Sequence, residues 1–211
     1  MIRHVVFDFD GTLVRSNRIK RQAFYDAAAG LDGAAEILDA LFAGGFDGDR
    51  FAVVEALARR LAERGVTVEP EALAADYTRR CRAGVAAAPE VPGAAAALER
   101  LAGADVRLYL VSATPQQALE EVVADRRLDR TFARILGAPP TKPVHLRALV
   151  EAGVPVGELA LVGDGRDDQA AAEQVGCRFV AVDDQPKERL DAEVFVRDLR
   201  DLPAALGLAR S

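Results

Sequence analysis

The chain has 211 residues, half of them apolar, which suffices for one sizeable domain or for a domain that carries a smaller insertion. Its formal net charge of −6 argues against nucleic acid or an anionic membrane as the main partner, because phosphate-rich surfaces bind clustered positive charge. No window approaches the roughly 18 apolar residues of a spanning helix, and nothing near the N-terminus resembles a signal peptide. We therefore expect a soluble cytoplasmic protein.

Five short apolar runs with turn-like flanks predict strands. They cover residues 4–9, 106–111, 133–136, 159–163 and 178–182. Stretches of helical period separate the later runs, and they lie at 93–102, 115–125, 143–152, 167–175 and 198–207. This alternation predicts an α/β fold in which helices cover a parallel sheet.

The interval from 16 to 88 breaks this alternation, because its four periodic stretches all read as helices and no strand separates them. Ser16 is a predicted N-cap at its start, and the prolines and glycine of "APEVPG" at 88–93 suit a hinge or linker at its end. We predict an all-helical insertion over 16–88 within a core formed by 1–15 and 89–211.

The first predicted strand lies in "VVFDFDGTLV", residues 5–14, and it carries two acids before a glycine. Residues two apart in a strand point to the same face, so Asp8 and Asp10 project together where the strand meets Gly11. Open α/β sheets bind ligands at this edge, and Gly11 permits a sharp turn there. Taken alone, the pair also fits a turn cap beside a solvated strand end.

Polar groups follow two further strands. In "LVSATP", Ser112 comes just after a strand and Pro115 is predicted at the first helical position, so the hydroxyl and the following N–H groups could hold a phosphate oxygen. In "PPTKPV", Lys142 directly precedes Pro143, which can start a helix and leave the ammonium group free to enter a site. Alone, these are a helix cap and an exposed lysine.

The run "LVGDGRDD" adds acids after a fourth strand. Asp164 follows the strand, and Asp167 and Asp168 lie in the first turn of the next helix, where acids are also favourable for purely structural reasons. Four strand ends thus supply D-x-D, S, K and G-D-x-x-x-D in chain order. Helix capping alone does not predict this combination.

With all four motifs in order, the chain resembles the haloacid dehalogenase (HAD) superfamily. The motifs are "DFDGT", "SAT", Lys142 and "GDGRDD". The helical stretch between the first and second motifs is similar to the branch of phosphoglycolate phosphatases and β-phosphoglucomutases. This resemblance implies a Rossmann-like core with a parallel sheet flanked by helices, and a C1-type helical cap domain over 16–88.

The resemblance also implies roles for the acids. Asp8 would be the nucleophile that forms an aspartyl-phosphate, and Asp10 would be the general acid and base. Mg²⁺ would be held by Asp8, the backbone carbonyl of Asp10 and Asp164, with Asp168 supporting the metal. By its spacing, Asp168 fits the fourth motif and Asp167 does not.

The family's contacts to the transferred phosphoryl group correspond to Gly11, Ser112, the Ala113 N–H and Lys142. Two positions depart from the common pattern of the family. Arg15 stands where many relatives carry an acid, and Gly165 replaces a more usual serine. Neither position is a catalytic group, so the departures bear on subfamily and substrate.

These features favour a Mg²⁺-dependent phosphatase that hydrolyses a small phosphate monoester, such as a sugar phosphate or phosphoglycolate. The alternatives are a sugar-phosphate mutase of the same fold and a non-enzymatic binding protein. Dehalogenases and phosphonate hydrolases fit less well, because they lack the acid at Asp10. We expect a small-molecule partner, no nucleic acid, no membrane, and a monomer or homodimer.

Two cap residues are candidates for substrate selection. Lys20 lies one helical turn beyond Ser16 and would suit an anionic substrate group, although it also fits a solvated helix surface. Arg50 ends the glycine-rich segment "AGGFDGDR" at 43–50, which could be a specificity loop or a turn between helices.

Overall fold

The computed structural model describes residues 1–44, 50–182, 190 and 192–208. The chain divides into two compact units, of which the first combines Met1–Arg15 with Pro89–Ser211 and the second is Ser16–Ala88. Across the described ranges, none of the helices combines the length and apolar character needed to cross a bilayer.

The first unit contains a six-stranded sheet with the order β3-β2-β1-β4-β5-β6, in which every neighbouring pair is parallel. The strands are β1 (His4–Asp8), β2 (Arg107–Pro115), β3 (Arg134–Ala138), β4 (Leu159–Gly163), β5 (Arg178–Val182) and β6 (Val194–Val196). The predicted parallel α/β fold is thus confirmed. The strand order reverses between β1 and β4, which is where such sheets form a ligand-binding crevice.

The central strands are buried on both faces, which explains their nearly continuous apolar sequences. All five residues of β4 are buried, as are Val5 to Asp8 of β1. The register sets Asp8 opposite Val111 of β2, and Phe7 opposite Val162 of β4. The residues that follow Val111 and Val162 therefore reach the same sheet edge as Asp8.

The second unit, as far as its residues are described, contains four helices, which are α1 (Asn17–Ala27), α2 (Ala34–Ala43), α3 (Arg50–Ala62) and α4 (Pro70–Ala87). An apolar core joins them, in which Phe24 stacks on Tyr77 with ring centroids 4.0 Å apart. Such a core stabilises helices that would be marginal alone. In the segment at 43–50, residues 45–49 lie outside the described part of the chain.

The described part of the first unit contains a short 3-10 helix at Val156–Glu158 and five α-helices, which are α5 (Ala94–Gly103), α6 (Gln116–Asp125), α7 (Lys142–Glu151), α8 (Arg166–Val175) and α9 (Leu202–Ala205). Helices α7 and α8 contribute Leu146, Leu149, Ala171 and Ala172 to an apolar cluster beneath the sheet. Lys142 at the start of α7 contacts Asp8 at the end of β1 and two acids in the first turn of α8, so both helices begin at the carboxyl edge of the sheet.

Two local predictions differ from the structure, and a third, the N-cap at Ser16, is confirmed in position but not in its side-chain hydrogen bond. Pro115 ends β2 and is the N-cap of α6, so the helix begins one residue later than predicted. Ser16 is the N-cap of α1, but it has helical dihedral angles and its side chain makes no capping hydrogen bond, since such caps form from an extended conformation. The last helix, α9, covers only Leu202–Ala205, and β6 precedes it.

Candidate active site

The candidate active site is a cluster of charged and hydroxyl side chains at the carboxyl ends of β1, β2 and β4. Asp8 is the last residue of β1 and Asp164 follows β4 directly. Ser112 lies within β2 and not after it as predicted, one residue beyond Val111, where the pairing of β2 with β3 shifts. The parallel register therefore brings together the acids and the hydroxyl that the sequence singles out.

Lys142, the first residue of α7, is buried among three carboxylates. Its Nζ lies 2.9 Å from Asp8 Oδ1, 2.7 Å from Asp167 Oδ2 and 2.6 Å from Asp168 Oδ1. An ammonium group has three N–H donors, so these three carboxylates match its full donor capacity. The lysine thereby holds the last residue of β1 and the first turn of α8 against the start of α7.

Carboxylate oxygens of Asp8, Asp164 and Asp168 all lie within 4.8 Å of one another, which suits a single metal ion. Two neighbouring groups orient these acids. The Gly165 N–H donates to Asp168 Oδ2 at 3.2 Å, and the Thr12 hydroxyl donates to Asp164 Oδ1 at 3.1 Å. A cluster of hard oxygen donors of this kind is the ligand set that Mg²⁺ prefers.

The carboxylate of Asp10 accepts hydrogen bonds from two hydroxyl groups of β2. Ser112 Oγ lies 3.3 Å and Thr114 Oγ1 lies 3.2 Å from Asp10 Oδ2. Ser112 Oγ also accepts the Thr114 N–H at 3.0 Å. Beyond Asp10, Gly11 has a φ of 89°, so the predicted sharp turn depends on the conformational freedom of glycine.

The single positive charge of Lys142 does not balance the negative charges of the carboxylates in the cluster. Burial lowers the pKa of Lys142, but Asp8, Asp168 and Asp167 outweigh this and raise it well above its usual value, so the lysine is charged. Burial raises the pKa of both Asp8 and Asp168, against the opposing charge of Lys142. A bound divalent cation favours the ionised carboxylates.

The structure adds three groups that the sequence reading did not assign to the site. Thr12 and Thr114 orient Asp164 and Asp10, and Asp167 contacts Lys142. Each lies one or two residues from a motif residue, but sequence spacing does not reveal which hydroxyl reaches which carboxylate. Ala113 is exposed at the same strand end.

In the helical unit, Lys20 is partly buried on α1, and its N–H donates to the Ser16 carbonyl at 2.9 Å. This bond confirms that Lys20 lies one turn beyond Ser16. The guanidinium group of Arg50 lies over the Phe51 ring, 4.5 Å from its centroid. A role for either residue in substrate selection stays a prediction.

Comparison with known proteins identifies the family of the chain. The model of the haloacid dehalogenase-like hydrolase family matches residues 2–176. A phosphoglycolate phosphatase of Pseudomonas savastanoi pv. phaseolicola is 29% identical over 210 residues, which cover 94% of this chain and 77% of that protein.

Two solved structures share the fold. CbbY from Rhodobacter sphaeroides in complex with xylulose-1,5-bisphosphate has a TM-score of 0.74 at 22% identity, over 99% of this chain and 100% of that one. L-2-haloacid dehalogenase from Xanthobacter autotrophicus has a TM-score of 0.67 at 23% identity, with the same coverage. Because the family match spans most of the residues, this chain belongs to the haloacid dehalogenase-like hydrolases.

Proposed function

We propose that this hydrolase is a Mg²⁺-dependent phosphatase that cleaves a small phosphate monoester through an aspartyl-phosphate on Asp8. The observation that carries the proposal is the position of the Asp8 carboxylate, 2.9 Å from the Lys142 ammonium and within the acidic cluster. A nucleophilic carboxylate beside a fixed cation is what phosphoryl transfer needs, because this chemistry depends on positioning and charge stabilisation.

In the first step, a carboxylate oxygen of Asp8 attacks phosphorus and forms an O–P bond, while the bond from phosphorus to the ester oxygen breaks. Asp10 gives its proton to the leaving oxygen, which departs as an alcohol. In the second step, water attacks the same phosphorus, Asp10 takes a proton from that water, and the bond to Asp8 breaks. The products are inorganic phosphate and the free enzyme, in which Asp8 is again a carboxylate and Asp10 again carries its proton.

The hydroxyls of Ser112 and Thr114 support this role of Asp10. Both donate to Oδ2 of its carboxylate, so they fix the orientation of the carboxyl group. General acid and base groups must lie within hydrogen-bond reach of the proton they move. A carboxyl group held by Ser112 and Thr114 beside Asp8 would meet that requirement once an ester is bound.

The carboxylates of Asp8 and Asp164 and the backbone carbonyl of Asp10 would hold Mg²⁺, and Asp168 would support this set. The ion would supply positive charge that lets a phosphate group approach several carboxylates. Gly11, the Ala113 N–H and Lys142 would contact the phosphoryl oxygens, as would Ser112, whose single O–H donor would then leave Asp10.

The phosphoglycolate phosphatases that are 29% identical to this chain suggest its substrate class. We propose phosphoglycolate or a similarly small phosphate ester, acted on in the cytoplasm by a monomer or homodimer. The unit Ser16–Ala88 would serve as a cap, with Lys20 and Arg50 as candidates for recognising the rest of the substrate. A net charge of −6 supports a small-molecule substrate over nucleic acid.

The experiment is a phosphate-release assay of the purified protein with Mg²⁺, against phosphoglycolate, sugar phosphates, nucleotides and p-nitrophenyl phosphate. We expect release from at least one small ester, and loss of that release after chelation. Accumulation of a bisphosphate in place of free phosphate would identify a mutase. Absence of turnover across the whole panel would contradict the proposal.

A further inference from the structure

Among the described residues, Lys142 contacts three carboxylates, and that of Asp167 has no part in the proposed chemistry. Asp167 lies in the first turn of α8, and its Oδ2 is 2.7 Å from Lys142 Nζ. The other two partners, Asp8 and Asp168, both belong to the cluster that could hold a metal. Asp167 is outside that cluster, yet it uses one of the three donors of the lysine.

The three carboxylates differ sharply in exposure. The side chain of Asp167 is 53% exposed, whereas those of Asp8 and Asp168 are 5% and 1% exposed. An exposed carboxylate is readily rehydrated when its ion pair breaks, while a buried one is left without a partner at high cost. Asp167 is therefore the partner that Lys142 can release most easily.

The backbone beside Asp167 makes room for this contact. A Cβ at Gly165 would lie 2.3 Å from Asp167 Oδ1, so the carboxylate occupies space that any other residue at this position would fill. Gly165 has a φ of −111°, which side-chain-bearing residues adopt without strain. Its lack of a side chain thus matters here for the space it leaves to Asp167.

A phosphoryl group on or near Asp8 needs a donor from Lys142, and the three donors already face carboxylates. We propose that Asp167 is a positioning residue that competes with the phosphoryl group for Lys142. It thereby weakens the binding of phosphate esters and of inorganic phosphate, and so limits inhibition by the product. The inference rests on the proposed phosphatase function. It adds that Asp167 controls the affinity of the enzyme for its phosphate product.

The test compares Asp167→Asn with the wild type and with Glu173→Gln. Glu173 is exposed on the same helix and lies outside the cluster, so its substitution makes the same charge change away from the site. The readouts are the dissociation constant of inorganic phosphate with Mg²⁺, measured by calorimetry, and KM and kcat for the best ester.

We expect Asp167→Asn to bind phosphate about threefold to tenfold more tightly, since the variant removes a negative charge that contacts the same lysine in a partly solvated setting. KM should fall by a similar factor and kcat/KM should rise, while Glu173→Gln behaves like the wild type. A purely structural role of Asp167 would lower kcat/KM or leave it unchanged.

Gly165→Ala provides a second variant that keeps every charge. The added methyl group displaces the Asp167 carboxylate, so phosphate affinity should rise in the same direction as in Asp167→Asn. Unchanged or weaker phosphate binding by both variants, in an active wild-type enzyme, would overturn the inference and leave the phosphatase proposal standing. A wild type that neither binds phosphate nor releases it from any ester would overturn both.

Discussion

The Nζ atom of Lys142 lies 2.9 Å from Oδ1 of Asp8, and both side chains are almost completely buried. This ion pair joins the end of β1 to the start of α7, two elements that are far apart in sequence. Removal of one partner from a buried pair leaves the other charge uncompensated. Lys142 should therefore matter for the charge balance of the whole cluster.

We expect Lys142→Ala to lower kcat/KM by about 10²-fold or more, because a preorganised cation next to the reacting phosphate is lost. The measurement is phosphate release with Mg²⁺ at saturating and limiting substrate. Arg147→Ala is the matched control, since Arg147 is an exposed cation on the same helix. If Lys142→Ala kept the wild-type rate, Lys142 would have no role in the reaction.

Thr114 tests a contact that the structure reveals and the sequence did not indicate. Thr114→Val removes one of the two hydroxyl donors to Asp10, and the loss of such a hydrogen bond should slow kcat by about fivefold to tenfold. Thr114→Ser keeps the hydroxyl and should restore most of the rate. Equal activity of the Val and Ser variants would show that the hydroxyl does not act on Asp10.

Gly163, the last residue of β4, tests how closely the site is packed. A Cβ at this position would lie 2.3 Å from Asp168 Cγ, so Gly163→Ala must displace a buried carboxylate that also contacts Lys142. We expect a loss of about 1–3 kcal/mol in the free energy of unfolding, together with reduced activity.

Gly157→Ala is the control for this change, because in the described part of the chain no heavy atom beyond the adjacent residues lies within 4 Å of the position that its Cβ would take. Chemical denaturation measures both variants. A Gly163→Ala protein as stable and active as Gly157→Ala would contradict the packing that we describe.

His4 gives a pH-dependent prediction at the opposite end of β1. Burial, with the nearby charge of Arg107, lowers the pKa of His4 from its ordinary 6.5, and the ring contacts Tyr109. The unfolded chain therefore binds a proton more readily than the folded chain. The contribution of His4 to the free energy of unfolding is fully present above pH 6.5 and is lost as the pH falls through the pKa of His4 in the folded state.

The urea midpoint of the wild type should therefore fall more steeply from pH 7.5 to pH 5 than that of His4→Gln, in which this group does not titrate. All other groups are common to both proteins, so their contributions cancel in the comparison. Parallel curves for the two proteins would mean that His4 titrates alike in the folded and unfolded states.

The sequence predicted the sheet and the meeting of the motifs for one physical reason. Strand periodicity and crossover helices determine a parallel sheet, and the carboxyl ends of its strands must share an edge. Asp8, Ser112 and Asp164 follow from that rule without knowledge of any side-chain conformation. The family resemblance added the roles of these residues, which periodicity alone does not supply.

Other features depend on tertiary packing and were not predictable. The strand β6 has only three residues at a sheet edge, too few to show a period. Thr114 contacts Asp10, and Asp167 contacts Lys142, only in particular side-chain rotamers. The surrounding structure selects these rotamers. Ser16 has a suitable side chain for an N-cap, but its helical backbone prevents the capping hydrogen bond.

The most direct test of the central claim is detection of the phosphoryl group on Asp8. The variant Asp10→Asn should accumulate the intermediate, because loss of the general base slows its hydrolysis by about 10²-fold or more. After incubation with Mg²⁺ and p-nitrophenyl phosphate, acid quenching and borohydride reduction, peptide mass analysis should find homoserine at position 8 and none in Asp8→Asn. Reduction at another aspartate, or at none while the wild type turns over, would contradict the account.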